Sequence, residues 1–155
     1  MIDTAILVAL HIFGAVVWVG GMFAIYVCLR PALGTIDPMP RLRLMRGLLG
    51  NFFLWVWIAV LLLLISGYSL VFVAYGGFAA LPLPVNLMQA IGLLLMIALF
   101  FLLFLGPWLA FKRAVDSEDW PNAAASLDRI RQIISINLPL GLVVIVIGAS
   151  GRFWS

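Results

Sequence analysis

Charge is scarce in this chain. Of its 155 residues, 10% are charged and 66% are hydrophobic. Globular proteins carry about 25% charged and 45–50% apolar residues. So few charges cannot cover a water-facing surface of this size, and a soluble fold is excluded in favour of one embedded in lipid. Cysteine occurs once, at Cys28, which rules out an intrachain disulfide and leaves the redox compartment unread. Basic residues are missing from the opening "MIDTAILVAL", and the apolar run continues past a signal-peptide core, so a retained first span is expected. The strict polar–apolar alternation of a membrane barrel is absent. No Ser–His–Asp set, intramembrane carboxylate pair or Gly-rich phosphate loop is visible, so nothing identifies an enzyme. The basic segments lack interleaved aromatics, which argues against nucleic acid as a partner.

What the chain does have is long apolar runs. Spanning about 30 Å of hydrocarbon takes roughly 20 residues in a helix, and helices satisfy every backbone group internally. Four spans are predicted, at about 4–29, 52–75, 84–111 and 133–150. The expectation is one all-α integral membrane domain over 1–155, a four-helix bundle. Arg30, Arg41, Arg43 and Arg46 follow the first span; Lys112, Arg113, Arg129 and Arg131 follow the third. The connection "GGFAALPLP" carries no charge. By the positive-inside bias both basic loops face the cytoplasm and both termini face out. Between its prolines and the second span, "DPMPRLRLMRGLLG" reads as a short amphipathic helix along the membrane surface. "SEDWPNAAASLDRIRQII" reads as a helix capped by Asp119 or Ser117, starting near Pro121 and feeding into the fourth span, where Asn137 and Pro139 offer a kink. The basic loops meet anionic lipid heads.

The only histidine, His11, stands inside the first span. At about 100° per residue it shares a stripe with Trp18 and Met22, beside Gly14, Ala15 and Gly21. A rise of 1.5 Å per residue places it roughly 8 Å from the span's midplane, level with Ser66, Tyr68 and Ser69 and near Gln89. Polar groups within a span are costly unless paired. Two readings stay open: His11 bonds a serine, tyrosine or carbonyl and fixes packing, or its imidazole binds a metal or haem. Imidazole suits copper, zinc and iron, and thioether sulfur suits copper(I), which makes Met22, Met88 and Met96 the candidate co-ligands. A haem b would need a Met axial ligand or His11 from a second chain. Gly14 with Gly21, and Gly141 with Gly148, place small residues at heptad spacing, as a homodimer or plain intrachain packing requires.

"LHIFGAVVWVGGMF" resembles the first-helix signature of the copper-resistance D (CopD) family, a His followed seven residues later by Trp and then a Gly pair: His11, Trp18, Gly20 and Gly21. "CLRPAL", "RLRLMRGLLGNFFLWVW", "NLMQAIGLLLMIALF" and "RIRQIISINLPLGLVV" are similar to its small four-helix members. The resemblance implies a bacterial inner-membrane protein concerned with copper transport or homeostasis, with a periplasmic copper carrier as partner. A more distant resemblance touches the HemJ-type protoporphyrinogen oxidases, which pair the first-helix His with an intramembrane Lys; here the only lysine, Lys112, ends the third span. Three classes therefore stand open: a copper protein using His11 and Met residues, a haem-binding redox protein, and an accessory subunit with no cofactor.

Overall fold

In the computed structural model, which describes residues 2–79 and 81–154, the expected spans are four long helices: α1 (Ile2–Thr35), α2 (Pro38–Tyr75), α3 (Leu83–Asp116) and α4 (Trp120–Phe153). They run up and down, each packed on its neighbour in sequence and α4 closing on α1. The ends that carry the paired basic connections are called the basic end below, the opposite one the distal end. No strand occurs among the described residues.

Local chemistry sets the breaks. After α1 the backbone extends at Ile36 and Asp37, and Pro38 restarts the helix from its first turn, where its missing N–H costs nothing. α2 stops at Gly76, whose φ of 71° is left-handed and suits glycine. The α3–α4 turn uses Glu118 at φ 58°, and Asp119 then caps α4 by accepting from the Asn122 N–H at 3.3 Å. The expected cap, the start beside Pro121 and the direct run into the fourth span are all present, and α4 remains helical through Pro139. α1 and α3 are not uniform. Val16–Gly20 and Ala24–Leu29 in α1, and Ala90–Ile97 and Phe104–Trp108 in α3, bond i to i+5, the wider π pattern. Pro107 lies inside the last of these and removes a donor that the regular pattern needs.

One boundary differs from expectation. The basic segment before the second span is helical but does not lie apart on a membrane surface; it continues into α2 without a break, for 38 residues in all. No proline interrupts Arg41–Tyr75, and the segment's apolar face has a better partner than lipid. Leu42, Met45 and Leu49 are buried in the bundle. Arg43 bonds Glu118 at 2.7 Å and lies over Trp120, while Arg46 reaches Asp116 at 3.3 Å and lies over Trp108.

Packing is uneven along the bundle. The core gathers toward the basic end, from Trp18 through Phe53, Phe100 and Trp108 to Phe111, Leu127 and Ile130. There Phe53, Trp57, Phe100, Phe104 and Trp108 meet edge to face with centroids 5.0–6.3 Å apart, contacts worth about 0.5–1.5 kcal/mol each beyond burial. Toward the distal end few side chains are buried, among them Ser66, Val71 and Ile147. The distal part of α1 packs on α2, and that of α3 on α4. Ile6, Phe13, Leu61, Leu94 and Val146 stand exposed on the outside, as a lipid-facing surface requires. The four heptad-spaced glycines are used within the chain: Gly14 faces Ala59 and Leu63, Gly21 faces Phe52, Gly141 faces Val19 and Met96, and Gly148 faces Met88.

Candidate functional site

His11 reaches α2. Its Nδ1 lies 3.0 Å from Ser66 Oγ, and Ser66 is 1% exposed. The Ser66 hydroxyl has a carbonyl partner of its own, Leu62 O at 2.5 Å. A hydroxyl has one proton to donate, whereas a carbonyl oxygen only accepts. With that proton directed at Leu62, Ser66 accepts from His11, and this bookkeeping assigns the ring proton to Nδ1. In that tautomer Nε2 carries the lone pair; the ring also lies within hydrogen-bonding reach of the Leu63 carbonyl. Gly67 completes the seat. A Cβ there would lie 3.0 Å from His11 Cε1 and 3.4 Å from Nδ1, so the missing side chain lets the imidazole lie against the α2 backbone. Gly67 was not singled out from sequence; the small–polar run "SGYS" inside an apolar helix was its only signal.

The other candidates are spread in depth. Trp18 is buried two turns below His11 and meets Phe100 edge-on at 6.0 Å. Met22 is buried at 2% exposure, eleven residues or about 16 Å along α1 from His11. Met96 is also buried. Its Cε and the Val19 side chain both crowd the Cβ position of Gly141, which puts it about 12 Å below His11. Met88 is different. Its Sδ lies 3.1 Å from the Cβ position of Gly148, and Gly148 is seven residues from Gly141 on a helix antiparallel to α1. That register brings Met88 level with Ile12, close to the depth of His11. Gln89 is half-buried next to Met88. Tyr68 turns to Phe78, ring to ring at 6.0 Å, and Asn86 bonds Leu81 O. His11 and Ser66 thus form one pair, and the methionines follow at separate levels.

Another polar group stands beside that series. Asn137, 3% exposed, donates through Nδ2 to Met96 O at 3.5 Å, and its Oδ1 has no partner. Among the described residues no three His, Cys, Asp or Glu side chains come together as a metal-binding group. Any metal held here would rest on imidazole nitrogen and thioether sulfur, a set that fits copper(I) better than a hard cation.

Four apolar helices with a neutral polar pair inside define a multi-pass membrane protein of the all-α class. Residues 46–150 match the family Copper resistance protein D, more than half of the chain, and the protein belongs to that family. The match begins at Arg46, so it rests on α2 to α4; the His11–Trp18–Gly20–Gly21 spacing lies outside it. No curated protein and no solved structure matches the chain, and the more distant HemJ likeness has no counterpart in these comparisons.

Proposed function

We propose that this is a copper-handling protein of a bacterial inner membrane, with both termini on the periplasmic side, in which copper(I) is cargo. Family membership supports the copper class. The observation that supports the finer reading is the His11 seat: the ring lies against the α2 backbone at Gly67 with Nδ1 3.0 Å from Ser66 Oγ, and the tautomer protonated at Nδ1 presents its Nε2 lone pair to a metal. Donors at separate depths suit transfer better than storage. Met88 stands at the level of His11, and Met96, Met22 and Met45 follow toward the basic end, the last three buried in the core. Thioethers bind copper(I) softly and carry no charge, so the cation meets ligands without a fixed carboxylate to trap it.

Proteoliposomes enclosing a copper(I) chelator test this reading. Uptake is expected to fall by roughly tenfold or more in His11→Ala, a scale set by the loss of a metal-orienting group, and to fall in Met96→Leu, which keeps the volume and removes the sulfur. Unchanged uptake in both variants refutes the transport path. A second reading has its own support, because a histidine satisfied by a buried serine also describes a packing anchor. In that case His11→Ala lowers thermal stability, and parent and variant bind equally little copper.

A further inference from the structure

At the basic end, away from His11, α1 and α4 part to leave an open cleft of about 240 Å³, lined by Tyr26, Arg30, Asp128, Arg131, Gln132 and Ser135. A single ordered water needs only about 10–15 Å³, so the cleft admits a polyatomic group. Beneath it a cavity of about 20 Å³ shares Tyr26, Arg30 and Arg131 with the cleft and is otherwise closed by apolar side chains such as Ile25, Leu49 and Ile134. The ligand position is therefore the polar mouth, above a small and mainly apolar floor.

We propose that this cleft binds the phosphate of an anionic phospholipid headgroup. The lining is donor-rich: two guanidinium groups, the Gln132 amide and the Tyr26 hydroxyl face a single carboxylate, while Ser135 donates its proton to Gln132 O at 2.7 Å. Arg131 directs Nη1 to Asp128 at 2.8 Å, which leaves the rest of its planar fork for a second acceptor. Arg30 has no carboxylate within ion-pair distance among the described residues; its guanidinium carbon lies over the Tyr26 ring at 5.1 Å, a contact with the ring face that uses none of its N–H groups as hydrogen-bond donors. Arginine forks match phosphate oxygens in pairs. Basic pockets between spanning helices are where lipid heads are recognised. The neighbours favour a lipid over a free anion. Phe23 and Val27 lie one turn toward the membrane centre from Tyr26 and Arg30, and Ile136 follows Ser135; all three are exposed and apolar, placed where acyl chains leave a headgroup seated in the cleft.

Native mass spectrometry of the full chain in neutral detergent, with added phosphatidylglycerol or phosphatidylcholine, tests the proposal. Phosphatidylglycerol adducts are expected to predominate and to fall roughly tenfold in Arg30→Gln/Arg131→Gln, as losing two charge-assisted contacts implies. The control Arg113→Gln/Arg129→Gln removes the same charge from exposed positions at the same end, and there binding is expected to stay within roughly twofold. Equal losses in the two variants would mean diffuse attraction and would overturn the site, as would undiminished binding in the first. Inorganic phosphate competing as well as the lipid would assign the cleft to a free anion, against the proposal. Arg30→Lys/Arg131→Lys keeps the charge and guards against misfolding; an intermediate loss is expected, because the fork is gone, and full binding by this variant counts against phosphate recognition by the fork.

Discussion

Ser66 has one proton to give, and Leu62 takes it. The residue-scale consequence is that His11 and Ser66 are energetically coupled. Removing Ser66 takes the side-chain partner from His11, a cost of about 1–3 kcal/mol for a buried polar group, whereas removing His11 leaves Ser66 still bonded to Leu62 O. In a double-mutant cycle with His11→Ala and Ser66→Ala, a coupling of about 1 kcal/mol is expected; additive losses measured by unfolding in mixed micelles would mean that the bond contributes nothing. Gly67→Ala probes the seat differently. Its new methyl enters the space of the ring, so the expected outcome is displacement of His11 with helix content unchanged, read as loss of the His11–Ser66 coupling beside normal circular dichroism. The sequence marked His11 through its rarity and its depth, and the depth estimate also found Ser66. It did not separate Ser66 from Tyr68 and Ser69, because helical rise sets level whereas rotation decides which group points at the partner. Tyr68, at the right level, faces Phe78.

At the scale of the helices, the glycines divide by what faces them. A Cβ on Gly141 would lie 2.8 Å from Val19 Cγ2 and 3.0 Å from Met96 Cε, whereas one on Gly92 would meet nothing within 4 Å. Gly141→Ala is expected to wedge α4 from α1 and α3 and to destabilise by about 1–3 kcal/mol. Gly92→Ala fills open space and lowers the entropy of the unfolded chain, for a gain of about 0.4–1 kcal/mol. Denaturation midpoints in a graded detergent mixture should therefore move in opposite directions, and a shared direction would mean that the α1–α4 contact does not hold the bundle. Helix existence and type were legible because spans are long and apolar. The fate of the basic segment was not. Its periodic apolar face predicts burial against something, and periodicity alone cannot distinguish lipid from Phe111, Leu127 and the acidic pair Asp116 and Glu118, which come from far along the chain. The wider turns in α1 and α3 were equally hidden; only Pro107, inside one of them, marks its place in the sequence.

For the whole molecule, the division between a packed basic end and a sparsely buried distal end governs both motion and topology. Local opening is cheapest where few apolar contacts must break. Backbone amides around Leu7–Gly14 and Val85–Ile91 are therefore expected to exchange faster in detergent than those around Leu48–Val56 and Phe100–Gly106, and the reverse gradient would contradict this division. The end that opens is the one that bears His11, and the end that holds firm bears the arginines. Basic loops resist translocation, so the firm end is expected in the cytoplasm, and an even number of crossings then puts both termini outside. A reporter active only in the periplasm, fused after Trp154, should be active, and one inserted between Asp116 and Asp119 should be silent. Changing Arg41, Arg43 and Arg46 to Gln while adding three lysines to the Gly76–Leu81 connection should weaken or invert that pattern, because the bias depends on where the positive charges sit and not on their number. If the pattern survives the change, the orientation is set by something other than those charges, and the placing of His11 toward the periplasm loses its physical basis.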